Sequence, residues 1–345
     1  MTLIYFIIIL GVIILIHEFG HFIFAKRAGI YVYEFSIGMG PRIFKWTRKN
    51  DETEYSVRLI PIGGFVQMAG EEIDDDESVP RDKKFSVKTF GQKFMTVIAG
   101  IMNNFILAIV LFFIVALFNG APQNKAIVGK ISKGYPAYTS GLQENDQIVK
   151  LNGKNASSYD LLALELQVNS GKEISLEVLR NGEVKTINLK PKKVKIDGQV
   201  TYKYGFAIND EIKKGFLPSL IYAFSKTISL VHQMVLIILY LFTGNLGINS
   251  LAGPVGIFNV VGSASSAGIW SLVSLTAFLS INVGFINLLP LPAFDGGRLL
   301  FVIIEKIKGK PVDSKFENTI HAIGFFLLML LMLYITYNDI IRLIK

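Results

Sequence analysis

The 345-residue sequence predicts a polytopic α-helical membrane protein, with four transmembrane helices, a membrane-associated β-hairpin region after the first, and one inserted α/β domain. Three observations carry this expectation. Hydrophobic residues make up 51% of the chain and charged residues 18%, a balance shifted from a soluble domain toward a chain solvated by lipid. Apolar runs of the ~20 residues needed to cross a ~30 Å hydrocarbon core recur along it. A polar, β-rich stretch interrupts them. With no cysteine, the chain has no disulfide, no thiolate metal site and no cysteine nucleophile, so any metal must be held by His, Asp or Glu. The net charge of +8 includes no basic run interleaved with aromatic residues. It therefore reads as membrane orientation beside anionic lipid, with no nucleic-acid partner.

The first transmembrane helix is expected over residues 1–27, around the apolar run Leu3–Ala25. No basic region precedes that run and Lys26-Arg27 follow it, so it reads as a retained helix and not as a cleavable signal. Residues 28–92 form the next loop, and with Lys26, Arg27, Arg42, Lys45, Arg58 and Lys88 in or beside it the positive-inside rule makes it cytoplasmic. Within this loop Glu54–Met68 alternates and contains Pro61, Gly63 and Gly64, the pattern of a short, irregular β-hairpin with an edge strand. The acidic run Glu71–Glu77 reads as a solvated loop. A second transmembrane helix is expected over 93–119, and a small α/β domain on the outer face over 120–196, with β-rich stretches at Ala126–Ile131, Ile148–Leu151, Ile174–Leu179 and Val184–Leu189. Residues 197–268 read as a linker with an interfacial helix at 216–242, apolar enough to span but carrying Ser225, Lys226, Ser229 and His232. The third transmembrane helix is expected over 269–304, interrupted by Asn282, Asn287 and prolines. Such breaks are tolerated at membrane depth only where backbone faces protein or a water-filled cavity. A cytoplasmic loop at 305–317 and a fourth transmembrane helix at 318–345 complete the chain.

His17-Glu18-Phe19-Gly20-His21 is an H-E-x-x-H pentapeptide on a helix. That spacing sets two imidazoles one turn apart on one face with a carboxylate beside them, the arrangement of a catalytic zinc whose open position takes water. An ionisable trio inside an apolar helix is costly, which favours a site over packed membrane histidines. A third protein ligand is needed. His232 and His321 read as interfacial, and Glu305 and Asp339 as solvated. Asp295 differs, because it ends the apolar stretch from Asn287 through Pro290, Pro292 and Phe294, where prolines break the helix and Gly296-Gly297 permit close approach. Its carboxylate could reach a metal from the side. Depth agrees if both helices run from outside to inside, which holds when 216–242 does not cross.

The pairing of His17-Glu18-Phe19-Gly20-His21 with Asn287-Leu288-Leu289-Pro290-Leu291-Pro292-Ala293-Phe294-Asp295-Gly296 closely resembles the site-2 protease family and its bacterial RseP-like branch. Nearly the whole chain fits. Ala99-Gly100-Ile101-Met102-Asn103-Asn104-Phe105 looks like the family's second-helix signature, with Ile101 where Pro is usual; Glu34–Pro41 and Tyr55–Gly70 are similar to its membrane-associated β-elements, and Leu251–Ile257 to the segment before its third span. Pro136-Ala137, Ser140-Gly141-Leu142 and Asp146–Gly153 resemble a PDZ domain, present once where some relatives have two. The resemblance implies an intramembrane zinc metalloprotease of a bacterial inner (cytoplasmic) membrane, with one Zn2+ held by His17, His21 and Asp295 and with Glu18 as general base. Asn287, Pro290 and Pro292 would help hold the substrate, a transmembrane protein already cut on the outer side, such as an anti-sigma factor or a signal-peptide remnant. The N-terminus and the PDZ-like domain would lie outside, the active site near the cytoplasmic face, and the hairpin edge at Gly63 and Gly64 would take up unwound substrate. Two other readings differ in class. A membrane zinc protease with a Glu ligand on a second helix lacks the matching E-x-x-x-D pattern in any apolar segment, and a non-catalytic PDZ-bearing scaffold or pseudoprotease leaves the intact Glu18 without a role.

Overall fold

Long apolar runs become helices because a chain in lipid can satisfy its backbone N–H and C=O groups only internally. The computed structural model describes residues 1–71, 76–196 and 199–344, so residues 72–75 of the acidic run lie outside the described residues. Among the described residues, five helical segments are long and apolar enough to cross a membrane: Thr2–Arg27, Phe90–Asn119, Phe216–Phe242, Ile269–Leu288 and Lys315–Arg342. The protein is thus a polytopic membrane protein, and Phe216–Phe242 meets by length and composition alone the same measure as the four segments expected to cross. The chain divides into two compact units, residues 1–111 with 248–345, and residues 112–247.

In the first unit α1 (Thr2–Arg27) leads into β1 (Val32–Thr47) and β2 (Glu54–Met68). The sequence pattern placed a hairpin inside 54–68; that segment is instead one bent strand whose partner is 32–47. Both strands bend, so Phe35 pairs with Val66 on one side and Tyr55 on the other, while Thr47 pairs with Glu54. The bends fall at Gly38 and Gly63, each with φ +86°, where a side chain would be strained. Residues 64–68 consequently form an edge, paired only with 32–37. Glu34, buried in the sheet, takes two hydrogen bonds from Arg58 Nη2 at 2.7 and 2.9 Å, which ties the central strand to its neighbour. At the end of α1, Lys26 Nζ donates to Asp51 at 2.8 Å. Burial alone would raise the Asp51 carboxyl, yet hydrogen bonds from Lys26, the Thr53 amide and the Tyr55 hydroxyl outweigh it and hold it at about 2.

The next helix, α2 (Phe90–Asn119), passes into the second unit, built around a small sheet. Its strands and helices are β3 (Ala121–Pro122), β4 (Val128–Ile131), α3 (Pro136–Thr139), β5 (Gln147–Leu151), β6 (Lys154–Asn155), α4 (Tyr159–Val168), β7 (Ile174–Arg180), β8 (Glu183–Leu189), β9 (Lys192–Ile196), β10 (Gln199–Lys203), β11 (Phe206–Ile208) and β12 (Ile212–Lys213). Strands β6, β5, β7 and β8 form one antiparallel sheet in that order, and alternate residues Ile174, Leu176 and Val178 of β7 face a core with Val128, Ile148, Leu151, Leu162 and Leu189. Residues 199–213, read from the sequence as linker, are strands that return to the module: β11 pairs with β4 and β12 with β3. Runs this short, such as Phe206–Ile208 and Ile212–Lys213, carry no local sign of that distant pairing. Helix α5 (Phe216–Phe242) then lies along α4. Lys226 Nζ and Ser229 Oγ both donate to the Asp160 carboxylate, Gln233 donates to the Asp160 carbonyl, and the Tyr240 hydroxyl donates to Glu165.

Back in the first unit, α6 (Pro254–Ala267) and α7 (Ile269–Leu288) pack with α1 through Ile9, Ile13, Val261, Leu272 and Leu279. The span expected over 269–304 is two helices: α7 ends at Leu288, and after a turn carrying Pro290 and Pro292 the chain starts α8 (Asp295–Lys308). Proline cannot donate into a helix and clashes with the turn before it, which accounts for the break. In the final helix, α9 (Ser314–Ile344), Asp339 is only 4% exposed and accepts a hydrogen bond from the Gly256 amide at the start of α6. This corrects the solvated reading of Asp339. Glu305, also read as solvated, pairs with the buried Lys93 at 2.8 Å.

Candidate functional site

Helix α1 sets His17 and His21 one turn apart, and both are buried. What turns that face into a site is the close crossing of α2. A Cβ on Gly20 would stand 2.4 Å from the Ala99 carbonyl oxygen, and one on Gly100 would stand 2.3 Å from His21 Nε2. Only two glycines allow the backbones that near. The crossing is tied by polar contacts along one face of α2: His21 Nδ1 donates to the Thr96 carbonyl at 2.9 Å, Asn103 Nδ2 donates to the Ile16 carbonyl at 3.1 Å, and the Asn104 amide lies 3.2 Å from His17 Nδ1. Helix α7 backs α2 in turn, with Ser280 Oγ donating to the Asn104 carbonyl at 2.8 Å.

The turn between α7 and α8 delivers Asp295. Ala293 takes φ +75°, and its amide donates to His321 Nδ1 of α9 at 3.0 Å. Gly296 and Gly297 are packed against the carbonyls of Leu288, Leu289 and Leu291, leaving no room for a Cβ. Asp295 thereby becomes the first residue of α8 with its Oδ2 turned toward α1. That oxygen lies 3.0 Å from His17 Nε2 and 3.3 Å from His21 Nε2, and the two Nε2 atoms are 3.2 Å apart. Among the described residues, none gives buried Oδ2 a hydrogen bond of acceptable geometry.

These three edges test whether the residues fit a metal. Tetrahedral zinc with bonds of ~2.0–2.1 Å to nitrogen and oxygen has ligand atoms ~3.3–3.4 Å apart, close to the triangle observed. The donor chemistry agrees. His21 gives its Nδ1 proton to a carbonyl, so a neutral ring presents the Nε2 lone pair to the lone pairs of Asp295. Converging lone pairs repel unless a cation lies among them. Among the described residues this trio is the one group of His, Asp or Glu able to hold an ion.

Glu18, the next residue on α1, is half-buried and near enough to interact electrostatically with His17, His21 and Asp295. Its Cγ would be 3.9 Å from a Cβ on Gly64, so the exposed edge of the sheet runs past it. Gly64 and Gly63 serve the sheet in ways the sequence reading did not foresee. Gly63 supplies a positive φ at the bend and Gly64 passes against the Ser36 carbonyl. Asn287 lies in the last turn of α7, half-buried, its side chain without a hydrogen bond among the described residues. Pro290 is exposed. Pro292 lines an apolar cavity of about 330 Å³ with Leu291, Phe294, Ile323, Gly324 and Leu327. His232 is exposed on α5, whereas His321, expected at the interface, holds the turn before Asp295. Sequence reasoning gave no role to Thr96 or His321; a signal existed for α2, where Thr96, Gly100, Asn103 and Asn104 recur on one side of an otherwise apolar span.

The model of peptidase family M50 matches residues 5–331. The chain is 32% identical over 414 aligned positions to zinc metalloprotease RasP of Geobacillus kaustophilus (strain HTA426), covering 98% of this chain and 97% of that protein. It is 35% identical over 419 positions to zinc metalloprotease RasP of Bacillus licheniformis, covering 99% of each. It is 34% identical to putative zinc metalloprotease SAR1238 of Staphylococcus aureus (strain MRSA252), covering 99% of this chain and 98% of the relative. The alignments hold more positions than the 345 residues of this chain, so these relatives carry inserted segments that it lacks.

Proposed function

This chain belongs to peptidase family M50, and from that premise we propose that it is an intramembrane zinc metalloprotease that hydrolyses peptide bonds within membrane-spanning segments of other proteins. The carrying observation is the triangle of His17 Nε2, His21 Nε2 and Asp295 Oδ2, with edges of 3.0, 3.2 and 3.3 Å, which supports these three residues as the ligands of one zinc ion. Zinc bound there supplies a Lewis acid that polarises a carbonyl oxygen and lowers the pKa of water. Glu18 is the general base: its carboxylate takes the proton of the attacking water and returns it to the leaving amine nitrogen. Thr96 holds His21 in the tautomer that offers Nε2, and His321 steadies the turn that delivers Asp295.

A substrate helix must unwind before its peptide bonds can be reached. The edge strand at 64–68 runs beside Glu18 and has backbone groups to offer, so an extended substrate adds to it as a further strand. Asn287, Pro290 and Pro292 contribute to holding that substrate, and the cavity beside Pro292 suits an apolar side chain. Helix α5 lies in the outer interface and does not cross, leaving four crossings. In support, its Lys226, Ser229, Gln233 and Tyr240 are bound to the polar module, while Leu217, Ile221, Phe224, Ile228 and Leu239 remain exposed as an apolar stripe. In this topology the N-terminus and the module, a PDZ-like domain, face outward from a bacterial cytoplasmic membrane, with the active site toward the cytoplasm. The module restricts access to substrates shortened on that side.

The test is cleavage of a tagged membrane-spanning substrate by purified protein in detergent. Wild type should cut within the span, and Glu18→Gln should hold zinc without cutting. Equal cleavage by Glu18→Gln, or a wild type that binds no zinc, would refute the proposal.

A further inference from the structure

The two imidazoles are held differently at their outer nitrogens. His21 Nδ1 faces the Thr96 carbonyl, which can only accept, so Nδ1 carries the proton and Nε2 is free to bind a cation. His17 Nδ1 faces the Asn104 side-chain amide at 3.2 Å, whose two ends have opposite character. With the NH2 end toward His17, Nδ1 accepts, and the neutral ring carries its proton on Nε2, where it would point at Asp295 and block the ion. Meanwhile Asn104 Oδ1 is buried without a donor among the described residues. The two ends of the amide are isosteric and are distinguished by hydrogen bonding alone. Turning the amide over leaves it with one hydrogen bond either way. What changes is the tautomer of His17.

We infer that Asn104 is a positioning residue whose Oδ1 accepts the His17 Nδ1 proton, fixing that ring in the tautomer that directs Nε2 toward the cation. Asn104 is 0% exposed, its carbonyl is bonded by Ser280, and a Cβ on Gly284 would stand 3.2 Å from its own Cβ, so the side chain is held against His17 from the α7 side. Helix α2 therefore supplies one acceptor to each histidine, a backbone carbonyl to His21 and a side-chain carbonyl to His17. Outer partners of this kind orient metal-binding imidazoles and raise their basicity. The inference rests on the zinc reading and extends it to α2.

Asp and Leu substitutions separate the two ends of the amide. A carboxylate can only accept, so Asn104→Asp should keep zinc affinity at or above the wild-type value, measured by competition with a chromophoric chelator. Asn104→Leu, similar in size and apolar, should weaken zinc ~10–100-fold. If Asn104→Asp loses zinc as Asn104→Leu does, an acceptor at this position does not direct His17 Nε2 toward the cation and the inference is overturned; zinc affinity unchanged in Asn104→Leu overturns it equally. Should the Leu variant fail to fold, the Asp variant decides alone. A wild type that holds no zinc removes the metal reading and this inference together, whereas failure confined to the Asn104 variants leaves the ligand trio standing.

Discussion

Two carboxylates, Asp160 buried and Asp295 half-buried, sit at helix contacts and are treated in opposite ways. Asp160, where α5 lies on α4, is met by Lys226 Nζ on one oxygen and Ser229 Oγ on the other. Asp295, at the face of α1, meets two imidazole nitrogens and no donor in hydrogen-bonding geometry for Oδ2. The first is a completed ion pair that holds two helices in place. The second converges with two imidazole nitrogens in a triangle of the size that a bound zinc ion would span. Glu165 shows that an orphaned oxygen by itself is not enough: its Oε2 has no donor, but no second and third ligand atom stand with it among the described residues. Convergence of donor atoms, more than burial of an acid, separates a reactive site from a structural one.

Substitutions at the two contacts should therefore fall into separate classes. The largest effect is on turnover: Glu18→Gln should lower cleavage by ~10²–10⁴-fold with zinc content and melting temperature unchanged, since a general base contributes about that much. Asp295→Asn should lose zinc as well, read as metal per protein, and undiminished zinc would remove Asp295 from the ligand set. At the other contact Asp160→Ala should leave zinc content at the wild-type level yet reduce stability by ~1.5–3 kcal/mol, because the half-buried Lys226 loses its charged hydrogen-bond partner. A loss of zinc in that variant would erase the distinction drawn here. Gly100→Ala lies between the classes. Its Cβ must push His21 Nε2 aside, so zinc should fall while overpacking costs ~1–3 kcal/mol in thermal unfolding. The smallest effect is expected for Ser158→Ala, where loss of the N-cap of α4 and of the contact with Ser229 should cost ~1 kcal/mol and leave cleavage untouched.

Legibility in the sequence follows the range of the interaction involved. The spans at α1, α2, α7 and α9 could be read from apolar length, and His17, Glu18 and His21 from a spacing of one helical turn. The hairpin within 54–68 was misplaced because strand pairing is not local. Glu34 pairs with Gln67 and also with Glu54, a choice made by the bends at Gly38 and Gly63. Residues 199–213 were missed for the same reason: Phe206 pairs with Ile131 across the module. Asp339 and Glu305 looked solvated beside charged neighbours, and only their distant partners, the Gly256 amide and Lys93, show otherwise.

By itself, the sequence determined which segments are helical in lipid and that two imidazoles and a carboxylate share one turn of α1, because composition and a periodicity of 3.6 residues act within a single element. Tertiary structure alone decided where Asp295 stands, which carbonyl meets His21, how near Asn104 comes to His17, and that His321 holds the turn. Each of those contacts joins different helices. Their ångström-scale geometry is set by glycines at a helix crossing and a proline-broken turn, and a linear pattern carries no such distance.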